Sequence, residues 1–187
     1  MTTQPTPILD VRALPGSSEV IAYKDGGLFP VLALADDVVV AVLRGGAGHL
    51  GLDGRIEVVR SLNAGQTWSP PAVVADSDFD DRNPAFGVTP AGTLVLSYHR
   101  QGNYDGAGNW RRREDMEQSR VEIRVTRSHD QGLTWETPYP LGVEMLAAGS
   151  PFGKIVTLAD GTLLMPIYGR PVAALLGNRT DEVTGDG

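Results

Sequence analysis

A chain of 187 residues with no cysteine and a formal charge of -7 is long enough for one domain with its own core, and it holds no disulfide, thiolate nucleophile or cysteine metal site. The acidic balance argues against nucleic acid or an anionic membrane as partner, because phosphate binding needs a basic field. No apolar run approaches a membrane span, and MTTQPTPILD has neither a basic start nor an apolar stretch, so a soluble, cytoplasmic protein is the expectation.

After an N-terminal segment holding ILDVRAL (8–14) and EVIAYKD (19–25), two apolar runs of strand length, LFPVLAL (28–34) and VVVAVL (38–43), are separated by the turn ADD. RIEVVRS (55–61) alternates like a half-buried strand and runs into the octet SLNAGQTW (61–68). The same order returns in PAFGVT (84–89), the turn PAG, TLVLSYH (93–99) and VEIRVTR (121–127), ending in a second octet, SHDQGLTW (128–135). A third unit begins with GKIVTL (153–158), the turn ADG and TLLMPIY (162–168). Each unit predicts strand, turn, strand, long loop, strand, octet, strand, and no segment reads as a helix.

Both octets reduce to Ser-x-Asn/Asp-x-Gly-x-Thr-Trp, carried by Ser61, Asn63, Gly65, Thr67 and Trp68 and again by Ser128, Asp130, Gly132, Thr134 and Trp135. The pattern predicts a turn between the third and fourth strands of a unit. Asn63 or Asp130 bonds back to nearby backbone, Gly65 or Gly132 takes positive φ, and the tryptophan pins the hairpin against a sheet. No nucleophile and base pair lies within it, so its role is structural.

Repeated four-stranded antiparallel meanders predict an all-β protein built of propeller blades. The octet, at this place in a meander, resembles the Asp-box of the sialidase and neuraminidase superfamily. VLRGGAGHLGLDGRIEVVRS, DRNPAFGVTPAGTLVLSYHR and SPFGKIVTLADGTLLMPIYG are similar to a bacterial sialidase-like subgroup. The resemblance implies a partial six-bladed β-propeller: 1–27 as lead-in and closing strand, 28–77 as blade one, 78–142 as blade two and 143–187 as a truncated third blade. It also implies an N-terminal piece of a larger protein, with EVIAYKD, and with it ILDVRAL, closing the last blade. Such a piece, with the apolar strands of its third unit uncovered, is expected not to fold stably alone.

Because each hairpin reverses direction, the loops between strands two and three and the connections between blades open on the face opposite the octets. That face collects 44–55, 76–84, 99–120, 143–151 and 168–171, which are rich in arginine, histidine and carboxylates. Guanidinium forks grip a carboxylate bidentately and keep their charge, so this mouth suits an anionic sugar.

Sialidase-like chemistry, as the resemblance implies it, needs arginines on the substrate carboxylate, an acid for the leaving oxygen, and a tyrosine activated by a glutamate. Asp53 is the first candidate for the acid and His49 the second; Arg44, Arg82, Asp81, Arg100, Tyr168 and Arg170 are the candidates for substrate binding. Leu28 stands in Gly27-Leu28-Phe29-Pro30 where the family has an arginine, and the tyrosine, its glutamate and the remaining arginines belong to later blades. Structural roles stand beside these: Arg44 and Arg82 as partners of loop carbonyls or of Asp53, Asp80 and Asp81, Asp53-Gly54 as a turn, and RRRED (111–115) as a solvated loop. Asp76, Asp78 and Asp80 alternate like the opening of a calcium loop but lack its glycine and terminal glutamate, and no metal or cofactor is expected. Two functions follow: an exo-glycosidase of sialidase type, or a noncatalytic propeller that binds glycan or protein.

Overall fold

The structure, a computed structural model, describes residues 10–24, 26–112, 121–143 and 146–171. The first blade is a meander of β1 (Leu28–Ala35), β2 (Val38–Gly45), β3 (Arg55–Ser61) and β4 (Ala72–Ala75), paired antiparallel in chain order. The second repeats it with β5 (Asp80–Val88), β6 (Leu94–Gln101), β7 (Val121–Ser128) and β8 (Tyr139–Pro140). A third unit holds β9 (Leu146–Pro151), β10 (Gly153–Lys154), β11 (Val156–Thr157), β12 (Leu163–Leu164) and β13 (Ile167–Pro171). β10 lies parallel to β5, joining the third unit to the second blade, while β11 pairs with β12 and β9 with β13.

Sheets stack on both faces, which explains the two kinds of strand pattern. On β1, Val31, Ala33 and Ala35 point inward while Leu32 and Leu34 are exposed, as alternation demands. β2 is covered on both sides and reads as an unbroken apolar run. Val40 and Val42 join Ile56, Val58, Phe86, Leu94, Leu96 and Tyr98 in the core between the blades. Ala41, Leu43 and Val59 pack on the other face under Tyr23 and Trp68. A smaller core of Ala85, Val95, Val125 and Ile155 seats the third unit on the second blade, while Val156 and Leu164 stay exposed.

The octets form the same turn twice. The amides of Gly65 and Gly132 each donate to the serine hydroxyl four residues earlier at 2.8 Å, and those of Thr67 and Thr134 to the Asn63 and Asp130 side chains at 2.9 Å. Gly65 and Gly132 have φ 86 and 85, as expected, and Ala64 and Gln131 before them also lie in the left-handed region. Trp68 and Trp135 each pack on a sheet face, Trp68 beside Tyr23 and Trp135 on the core between the blades. The second octet also reaches across to blade one. Arg60 Nε donates to the Gln131 carbonyl at 2.7 Å, and Gln131 Nε2 to the Asp36 carboxylate in the β1–β2 turn at 2.9 Å.

One expectation for the chain's organisation is corrected and one is left to the complete ring. Residues 19–24 pair with no strand of the described residues, whose blades do not include the last one, which the segment was expected to close; here it lies along the outer face of blade one, with the Tyr23 hydroxyl donating to Glu57. Asp25 lies outside the described residues. Within 8–14, Val11–Ala13 is a single 3-10 turn, its first amide-rich end capped by the Asp10 carboxylate. The stretch 143–151, expected as a loop of the mouth, contains β9, whose pairing with β13 overrides its glycine and proline.

Candidate functional site

The inner strands of both blades open with the same irregularity. Register shifts between Leu28 and Val31 in β1 and between Arg82 and Ala85 in β5. Inside these bulges sit Phe29 and Asn83, at φ 56 and 52, each directly before a proline. A bulky residue held there costs about 1–3 kcal/mol, and such strain persists where the surroundings over-determine it. Leu28 and Arg82 thus hold equivalent places, so the guanidinium enters from the second blade where the first supplies leucine. Units one, two and three converge at this end: the Phe29 ring lies 5.7 Å from those of His49 and Phe152, and the Arg82 guanidinium 5.9 Å from the Phe29 centroid.

Beneath this surface Asp80 is the hub. Fully buried at the start of β5, it accepts from Arg44 Nη2 at 2.6 Å, Arg44 Nε at 3.0 Å, the Tyr104 hydroxyl at 2.6 Å and Arg82 Nη1 at 3.4 Å. Arg44, equally buried, gives its remaining N–H groups to the carbonyls of Ala47, Gly48 and Gly51. All five donors of its guanidinium are engaged. The substrate-binding role expected of Arg44 is therefore corrected: it shapes the 46–54 loop from below and presents no fork to a ligand.

Arg82 is different. It is 7 % exposed, its Nη2 donates to His49 Nε2 at 3.2 Å, and its Nε is buried without a partner. Because arginine can only donate, the His49 nitrogen that receives this bond is unprotonated and the ring proton sits on Nδ1. In this arrangement His49 accepts through Nε2 and keeps its donor on Nδ1. Asp53 lies exposed in the same loop, with its backbone folded against Gly46.

The other candidates separate. Asp81 points away from Asp80: its carboxylate accepts from the Ser77 amide at 2.8 Å and hydroxyl at 3.0 Å, and burial pushes it up to about 6. Arg100 stacks on Phe79 at 4.4 Å, pairs with Glu122 and lines a cleft of about 310 Å³ between the blades with Ser77, Tyr98 and Arg124. Arg100 thus faces this cleft and Asp81 is buried against Ser77, which lines it, both on the side of β5 and β6 away from Arg82, because neighbours on a strand face opposite ways. Tyr168, largely exposed, accepts from Asn83 Nδ2 at 2.9 Å at the junction with the third unit. The side chain of Arg170 lies outside the described residues.

Asp80, expected only as one of several possible partners of Arg44 and Arg82, is the partner of both, while the bond from Tyr104 to Asp80 and the burial of His99 were not foreseen. His99, the β6 partner of Arg82, is buried with neither ring nitrogen bonded, and burial followed by the nearby Arg82 charge pulls it down to about 4. Among the described residues no helix is long and apolar enough to cross a membrane, and no three His, Asp or Glu side chains are grouped to hold a metal ion.

Comparison with known proteins gives the same architecture. The chain is similar to a Hadza microbial sialidase (TM-score 0.62, 23 % identity, covering 76 % of this chain and 32 % of that one). It is similar to the NanB sialidase from Streptococcus pneumoniae (0.62, 11 %, 80 % and 43 %). The Trypanosoma rangeli sialidase in complex with sialic acid also matches (0.57, 14 %, 76 % and 26 %). The chain therefore spans less than half the length of these structures, and the likeness is one of fold. No curated protein sequence matches significantly. The profile of the BNR repeat-like domain matches residues 37–184, most of the chain. With two Asp-box turns closing two successive meander blades, the chain belongs to the BNR repeat-like family and has the β-propeller fold of the sialidases.

Proposed function

We propose that the complete protein is an exo-glycosidase of sialidase type that removes sialic acid or a related anionic sugar from the end of a glycan. The observation that carries this is Arg82: a nearly buried guanidinium at the inner-strand bulge, anchored through Nη1 and Nη2, with Nε unpartnered. A substrate carboxylate at the exposed edge of this guanidinium would gain a charge-assisted bond in a site with little water. Asp53 is the proton donor of this reading, and Tyr168, bonded to Asn83 beside Arg82, is a binding residue of it. The nucleophile and further arginines come from outside these residues.

The test is cleavage of a fluorogenic sialoside by the complete protein. Asp53→Ala should lower kcat by about 10²–10⁴-fold, the ordinary contribution of a general acid. Arg82→Met should act mainly through KM. Unchanged turnover in both variants would sink the reading. The second reading, a noncatalytic glycan-binding propeller, is favoured by Leu28 at the bulge of blade one; saturable binding of sialic acid with no turnover would select it.

A further inference from the structure

We propose that Tyr104 is a positioning residue that sets the loop carrying His49 and Asp53 and the aim of Arg82 together, across the boundary between the two blades. Its catalytic consequence rests on the function proposed above.

Tyr104 belongs to the β6–β7 connection of blade two, yet its hydroxyl accepts from the Gly51 amide of blade one at 3.0 Å while donating to Asp80 Oδ2 at 2.6 Å. Asp80 Oδ2 in turn holds Arg82 Nη1, and Arg82 Nη2 reaches His49, two residues before Gly51 in the same loop. The bonds close a ring: Gly51 amide, Tyr104 hydroxyl, Asp80, Arg82, His49 and back along the chain. Such circuits fix each member more firmly than separate pairs do.

Tyr104 itself is held by its own loop. It bridges to Trp110, the Arg111 amide donates to the Asn103 carbonyl at 2.8 Å, and the Asp105 carboxylate accepts from the amides of Ala107 and Asn109 and from Arg111 Nη2 at 2.6 Å. A tightly turned loop thus presents the hydroxyl as a fixed arm. Arg44 supports the same blade-one loop by its carbonyls; Tyr104 grips it by an amide while also touching the carboxylate that aims Arg82. Without that hydroxyl, Asp80 Oδ2 keeps only the longer Arg82 contact and the Gly51 amide loses its acceptor.

The experiment compares Tyr104→Phe with the parent in the complete protein by amide hydrogen exchange and by sialoside kinetics. Exchange across 46–54 should accelerate about tenfold, the worth of one hydrogen bond, with the unfolding midpoint lowered by no more than that bond's contribution. kcat/KM should fall about 10- to 100-fold through both kcat and KM, as expected of small displacements of reacting groups. Unchanged exchange overturns the proposal whatever the activity. Faster exchange with unchanged kcat/KM also overturns it, since the ring would then hold the loop without aiming anything. If the parent neither cleaves nor binds sialosides, the proposed function fails, and faster exchange still sustains the coupling itself.

Discussion

Asp80→Asn keeps the shape of the hub and removes its charge. In the parent, Arg44 and Asp80 are both fully buried and approach to 2.6 Å, so the variant leaves one guanidinium with no counter-charge and Arg82 without its anchor. Removing one partner of a buried pair costs about 3–5 kcal/mol. Asparagine still offers an acceptor oxygen to Arg44, so a loss near about 3 kcal/mol is expected, a large part of the roughly 5–15 kcal/mol that holds a domain folded. Equilibrium urea unfolding of the complete protein should show a lower midpoint at unchanged slope. Asp10→Asn serves as the control: its pair with Arg12 stands in water at 2.9 Å, and no measurable shift is expected. If Asp80→Asn moves the midpoint no further than Asp10→Asn, the assignment of Asp80 as the hub is wrong.

The second octet offers an experiment the chain has already half performed, since Asn63 holds in blade one the place that Asp130 holds in blade two. Asp130→Asn should therefore leave stability nearly unchanged, whereas Asp130→Ala, which strips the acceptor of the Thr134 amide, should cost about 1–2 kcal/mol; equal losses in the two variants would contradict this. The pH dependence of unfolding should show two opposed slopes. His99, depressed to about 4 from 6.5, makes stability rise with pH between those values; Asp81, raised to about 6 from 3.8, makes it fall over nearly the same range. Each slope is at most about 1.4 kcal/mol per pH unit, so the parent should be almost flat there. His99→Gln should tilt it downward with rising pH and Asp81→Asn upward; tilts of the same sign would refute the assignment.

Much of the architecture was legible because it is periodic. Apolar runs and alternation gave the strands of both meanders, and the duplicated Trp-ending turns fixed their order and hence the face that carries the loops. Strand β9 escaped because Gly149 and Pro151 mask it, and only its partner β13 makes it extended. The N-terminal segment EVIAYKD has the composition of a strand, but among the described residues it meets side chains of blade one, Tyr23 packing on Ala41, Leu43 and Val59, and no strand edge. At the site, the sequence supplied residue types and a shared end but not the facing of adjacent residues. Asp80 and Asp81 read alike in a string, while one strand position decides which joins Arg44 and Arg82 and which caps Ser77. The bond to Tyr104 was not legible for a different reason, since its partner Gly51 lies in another blade and no local pattern connects them.

The bonds from Arg60 to Gln131 and from Gln131 to Asp36 bear on how such a protein grows by duplication. A gene segment copied cleanly at the edge of one sheet would deliver a glutamine whose grip belongs to the preceding sheet. The unit that carries all its own contacts is therefore staggered, one sheet plus the rim of the one before it.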